Sequence, residues 1–250
     1  MTPDQAAEIL RLREAQLAPK QIARQLGLRP AEVTAFIRDH AEEAYLEKAR
    51  SGNLLPLQEC RVNQGAVQNL LRPQKAGLFS KLTNRNQDDG VGGLCEVVVA
   101  RQDHNRLLVG SYLVDYWCLG VKDAMGPRKM GRSEYQLYLK SNEDRFEQPF
   151  VDITLDQAQA IVYGAVDYAR SIGLEPNRAF NTKVQAHLGS RPETLLPLEF
   201  GKDGQPFFIS GPYDNAEKII KTLQATVGEG NFHYLAAIGG SGMMDGDFFL

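Results

Sequence analysis

Asp115, Cys118 and Lys122 put a carboxylate, a thiol and an amine within eight residues of an otherwise apolar run, YLVDYWCLGVK. A thiol acts as a nucleophile when a neighbouring base or cation favours its thiolate, so the backbone under these three residues decides their value. In a helix, the three- and four-residue spacing would put all three on one face. In a strand, Asp115 points to the face opposite Cys118 and Lys122. The β-branched and aromatic content of the run favours the strand, which separates them. A thiol nucleophile also needs a general base, and His104 in a turn, His187 near a helix end and His233 in a last strand are not tied to Cys118 by spacing. A buried cysteine more often fills apolar space, and a carboxylate in an apolar strand usually pairs with a cation, here Lys122 or Arg101. Asp115, Asp123, Glu199 and Asp203 lack the spacing of a metal-ligand set, so neither a metal nor a cofactor is expected. An enzyme using Cys118 or Asp115 is the second reading of the chain.

A different chemistry is suggested by Pro19 to Phe36, PKQIARQLGLRPAEVTAF. Ile22 and Leu26 on one side of Gly27, and Leu28, Val33 and Phe36 on the other, suit two short helices of a helix-turn-helix closing on one core. Gly27 suits the left-handed residue that ends the first helix, and Pro30 suits the first turn of the second. Such a module presents the start of its second helix to base edges, where Arg29 and Thr34 can hydrogen-bond, while Lys20, Arg24 and Arg38 can meet phosphates. Residues 1–50 nevertheless hold eight basic and eight acidic side chains, which is unlike a strong operator binder. Between Arg61 and Arg85 runs a stretch without an acid, and its Lys75, Lys81 and Arg85 are further phosphate candidates. Phe79 is its only aromatic residue, which argues against a single-strand stacking groove.

SGPYD (210–214) precedes a helix start, but Pro212 removes a donor and Asp214 is expected to cap the helix, so its glycines read as turn formers. The end of the chain, GGSGMMDGDFFL, joins a glycine-rich tether to two acids and an apolar tip. Phe248, Phe249 and Leu250 could dock into a protein partner, or the segment could simply fray.

These residues sit in an ordinary globular composition: 250 residues, 43% hydrophobic, 24% charged, with a net charge of -3 that excludes a globally basic nucleic-acid coat. Three widely spaced cysteines without a CxxC pair suggest reduced thiols in a cytoplasm. The N-terminal stretch is a charged amphipathic helix rather than a signal peptide, and no run approaches the roughly 18 apolar residues of a membrane span.

The periodicity predicts a first helix over 4–16 bracing the two that follow. From 51 to 93 the composition shifts to Gln, Asn, Gly and Pro, a linker with a short packed piece at 54–62. CEVVVARQ and LLVGSYLVDYWCLGV, joined by DHNR, read as a hairpin, followed by a Gly, Pro and basic connection through Gly126, Pro127, Arg128, Lys129 and Arg132. A helix over 155–172 with Thr154 as cap should cover that sheet. LPLEF, GKDG and QPFFIS read as a second hairpin. Asp214 with Glu217 reads as a capping box for a helix over 215–227, and NFHYLAAI as a last strand.

The runs YLVDYWCLGVKDA (112–124), IVYGAVDYARSIGLEPN (161–177) and FGKDGQPFFISGPYD (200–214) resemble a family of uncharacterised bacterial proteins with the patterns LVDxxCLGVK, YGAxxYAxxLGxxP and FGxDGxPxxxSGP. The likeness spans roughly 55–238 and implies a shared core fold without an activity. The stretch 72–92 is extra length relative to that pattern, and the helix-turn-helix resembles an added module.

The expected architecture is α+β: a helix-turn-helix domain (1–50), a basic linker (51–93), a mostly antiparallel sheet covered by helices (94–238) and a flexible tail (239–250). The expected function is non-catalytic binding or regulation at a nucleic acid or a protein complex acting on one. A docking subunit of a larger assembly is the third reading.

Overall fold

A computed structural model describes residues 1–71 and 92–236. Lys75, Lys81, Arg85, Phe248, Phe249 and Leu250 lie outside the described residues. The fold is α+β, with N-terminal helices and a five-stranded antiparallel sheet.

Helix α1 (Pro3–Glu14) opens on a capping box in which the Thr2 hydroxyl accepts from the Gln5 backbone and the Gln5 side chain from that of Thr2. Helix α2 (Pro19–Leu26) ends at Gly27, which is left-handed, and α3 (Pro30–Arg50) starts on its proline. Ile9, Leu12, Ile22, Ala23 and Val33 form a buried cluster between the three helices. At 21 residues α3 is about 30 Å long, and its second half leaves the helical trio for the sheet domain.

The sheet runs in the order β4-β3-β2-β1-β5, with β1 Leu57–Asn63, β2 Leu94–Asp103, β3 Arg106–Asp115, β4 Gly120–Met130 and β5 Phe150–Ile153. Between β1 and β2 the chain makes a short helical turn, α4 (Gln64–Ala66), continued by a wider π turn over Val67–Leu71. One sheet face, with Val62, Val97, Val99 and Tyr112, packs under α6 (Leu155–Ser171) and α7 (Thr182–Leu188). On the other face, Val98, Ala100 and Val109 meet Tyr135, Leu139 and Phe146 of α5 (Arg132–Phe146). Helix α8 (Ala216–Thr226) and the parallel pair β6 (Phe207–Ile209) and β7 (His233–Leu235) close the end nearest Cys118.

Several local expectations are corrected. The stretch 57–63 is an inner strand of the sheet, paired with both β2 and β5. The DHNR hairpin forms, but its second run breaks at Asp115, so Cys118 lies in a turn and not in a strand. The basic connection at 126–129 is the second half of β4, still paired with β3. Helix α5 follows where no helix was expected, because Tyr135, Leu139, Asn142 and Phe146 recur at helical spacing. The second hairpin does not form: Lys202 and Gln205 make one isolated bridge, and β6 pairs in parallel with β7. Thr154 caps α6 as its sequence suggests.

His187 ties α3 to the sheet. Its ring accepts from the Tyr45 hydroxyl at 2.9 Å through Nδ1 and donates from Nε2 to the Val99 carbonyl at 3.0 Å, since a carbonyl only accepts. Arg101 donates to the carbonyls of His187 and Leu55, both at 3.0 Å. The ring passes so close to Gly110 that a Cβ there would lie 2.5 Å from a ring carbon. Burial holds the imidazole neutral, with its pKa lowered to about 4 by desolvation and further by the Arg101 cation, against the bond to Val99.

A neutral buried histidine contributes stability that is full above its unfolded pKa near 6.5 and is lost as pH falls toward 4. The stability advantage of the native protein over His187→Gln should therefore shrink between pH 7.5 and pH 5, as read by denaturant unfolding. Tyr45→Phe, which strands Nδ1 without a donor, should lower stability by about 1 to 3 kcal/mol at pH 7.5.

Candidate functional site

Asp115 ends β3 and pairs with Gly120, the first residue of β4, so the chain reverses through 116–119. Its Oδ1 accepts from the backbone N–H of Trp117 at 3.0 Å and of Cys118 at 2.9 Å, which makes the carboxylate the organiser of the turn. The bend overturns the expected separation by strand alternation: Asp115, Cys118 and Lys122 come together. Lys122 Nζ meets Asp214 Oδ2 at 2.8 Å, and the same oxygen accepts from Gly211 N at 2.8 Å. Asp214 is therefore engaged by Lys122 and not by the helix; Asn215 caps α8 instead, accepting from Lys218 N. Arg101, the other expected partner of Asp115, belongs to the His187 junction.

The electrostatics of this cluster suit support better than nucleophilic attack. Cys118 is fully buried against Ala169, Phe208 and Leu223, and burial together with the Asp115 carboxylate drives its thiol far up, so it stays protonated. Burial also raises Asp115 to about 7, against the Lys122 charge and the turn N–H groups that favour the anion. His187 and His233 spend ring hydrogen bonds elsewhere, His233 on Gln205. Among the described residues no group of three or more His, Cys, Asp or Glu side chains is placed to hold a metal.

The three stretches quoted for their resemblance meet here. Gly201 N donates to Tyr116 O at 2.9 Å and Phe207 N to Trp117 O at 3.2 Å, while Tyr168 stacks on Phe200. Gly120, left-handed at φ 69°, sits against α6, where a Cβ would lie 2.9 Å from the Ala165 carbonyl oxygen. Close packing around one turn accounts for Gly120, Tyr168, Phe200 and Gly201. Comparison with protein-family profiles, curated proteins and solved structures found no match.

At the other end of the molecule, Lys20, Arg24, Arg29, Thr34 and Arg38 are all exposed. Lys20 and Arg24 lie one turn apart on α2, and Arg29 immediately precedes α3. None of these three makes an ion pair among the described residues. Arg38 pairs with Asp39 at 2.8 Å, and the Thr34 hydroxyl donates to Pro30 O at 2.8 Å. At about 100° per residue, Thr34 and Arg38 fall on the same side of α3 as Tyr45 and Ala49, the side on which the sheet domain sits.

The opposite sheet face holds a polar network that no spacing or motif announces: buried Glu96 accepts from Tyr138 at 3.2 Å and Arg145 at 3.0 Å. A single acid inside CEVVVA was its visible signal.

Asp115 titrates with the opposite sign to His187. A carboxyl raised in the folded state contributes stability below about 3.8 that is lost as pH rises through 7. Asp115→Asn keeps an oxygen for the turn, and its stability relative to the native protein should rise from pH 5 to pH 8. Asp115→Ala removes the acceptor and should be destabilised at both values, by about 1 to 3 kcal/mol relative to Asn, in the same unfolding measurement.

Proposed function

We propose that the protein is a non-catalytic nucleic-acid-binding or regulatory protein, with α1–α3 acting as a helix-turn-helix module. The observation that carries this reading is the grouping of Lys20, Arg24 and Arg29 around the α2–α3 turn, exposed and with no carboxylate partner among the described residues. Phosphate neutralisation supplies most non-specific affinity, and cations already held by acids contribute less to it. Lys20, Arg24 and Arg29 are therefore the principal contacts, Arg38 a lesser one, and Lys75, Lys81 and Arg85 supplementary. Of the two side chains at the start of α3, Arg29 has the fork for a bidentate guanine contact, while Thr34, its proton given to Pro30, only accepts.

The buried, protonated state of Cys118 and the packing role of Asp115 support binding over catalysis. The buried, unbridged thiols of Cys60 and Cys118 support a reducing, cytoplasmic setting. No helix among the described residues is long and apolar enough to cross a membrane.

Fluorescence anisotropy with labelled duplex and single-stranded oligonucleotides, at salt between about 50 and 200 mM, tests this reading. Arg24→Ala and Arg29→Ala should each weaken duplex binding and reduce the slope of log K against log salt by about one unit, whereas Arg38→Ala should change it less. Absence of binding at the lowest salt, or slopes unchanged by both substitutions, would overturn it.

A further inference from the structure

We propose that a cleft between α3 and the sheet domain binds a phosphate monoester of a flat aromatic or heterocyclic group, a site separate from the nucleic-acid face. The cavity measures about 330 Å³, within the range of small-ligand pockets, and its walls come from α3, α6, α7 and the turn after α7. Its buried lining includes two aromatic rings. Tyr163 and Phe180, both buried, meet edge to face at 6.3 Å beside Val166. Three half-exposed to exposed arginines, Arg50, Arg170 and Arg191, are among its lining residues, and no Asp or Glu is.

Each arginine has an acidic neighbour outside the cavity wall: Glu47 for Arg50 at 3.4 Å, Glu175 for Arg170 at 3.1 Å and Asp167 for Arg191 at 2.8 Å. The Arg50 and Arg170 pairs are single contacts and largely exposed, so turning either cation toward a dianion costs little, whereas Arg191 is held by both oxygens of Asp167 and stays in place. A guanidinium has five donors, so Arg191 keeps N–H groups for a ligand even while bound to Asp167. Its guanidinium also lies 5.6 Å from the centre of the Tyr163 ring, joining the cations to the aromatic lining. Three such groups lining one cavity favour a dianionic head over a single carboxylate, and the two rings favour a planar body beneath it.

Because Arg50 rides on α3 while Arg170 and Arg191 ride on the sheet domain, a bound dianion would bridge the two. The ligand would then hold the N-terminal helices in their docked position.

Isothermal titration of the full chain with phenyl phosphate and the four common nucleoside 5′-monophosphates, against phenol and inorganic phosphate, tests the site without nucleic acid. At least one ester should bind one to one with a Kd below about 1 mM, and about tenfold tighter than phenol or phosphate. Arg50→Gln and Arg191→Gln should each weaken it about fivefold or more. Should Arg191→Gln not fold, Arg50→Gln and Arg170→Gln decide, since their pairs are exposed. Equal binding of phosphate and every ester, no ester binding, or affinity untouched in the folded variants would overturn the proposal.

Discussion

The docking of the N-terminal helices on the sheet depends on an uncharged imidazole between them. His187 has one neighbour that can only accept, the Val99 carbonyl, and one hydroxyl able to donate, from Tyr45, so a single tautomer satisfies both. A second proton would turn the acceptor nitrogen into a donor and leave a cation beside Arg101 with no carboxylate among its hydrogen-bond partners. The sheet has no side chain at Gly110 so that this ring can lie against it. The junction between the N-terminal helices and the sheet domain is therefore specified by hydrogen-bond chemistry as well as by apolar contact.

What the residues alone disclosed follows from how local the deciding interaction is. Helix α6 was legible because Thr154, Gln157 and an apolar stripe all lie within one segment. The α2–α3 turn was legible because Gly27 and Pro30 each have a short-range backbone reason to be there. Strand β1 reads only as a short packed piece within a linker because its pairing partners are at 97–101 and 150–153, and nothing in QECRVN announces them. The β-forming neighbours of Cys118 suggest a strand; the turn is imposed by Asp115 taking two backbone N–H groups, which composition does not register. The cap of α8 moved by one residue because Lys122, 92 positions earlier, claims Asp214.

The candidate site shows the same division. Asp115, Cys118 and Lys122 were conspicuous as chemical groups, but their meaning came from burial and from Asp214, neither of which spacing conveys. Lys20, Arg24 and Arg29 were named from a local pattern and need no distant partner to be exposed. His187 was visible only as a histidine near a helix end, since its partners Tyr45 and Val99 are 142 and 88 residues away.

Helix α3 works as a threaded shaft. Its first half is fastened to α1 and α2 through Val33, Phe36 and Ile37, and its second half to the sheet domain through Tyr45 and Ala49, on nearly opposite sides. The angular phase between the two fastenings is therefore written into the number of residues separating them. One inserted residue between 38 and 44 would swing one domain by about 100° about the helix axis relative to the other. Changes of about 7 or 11 residues, near whole numbers of turns, would preserve the phase and alter only the spacing. Homologues with a longer shaft should therefore differ in length by such steps and not by arbitrary amounts.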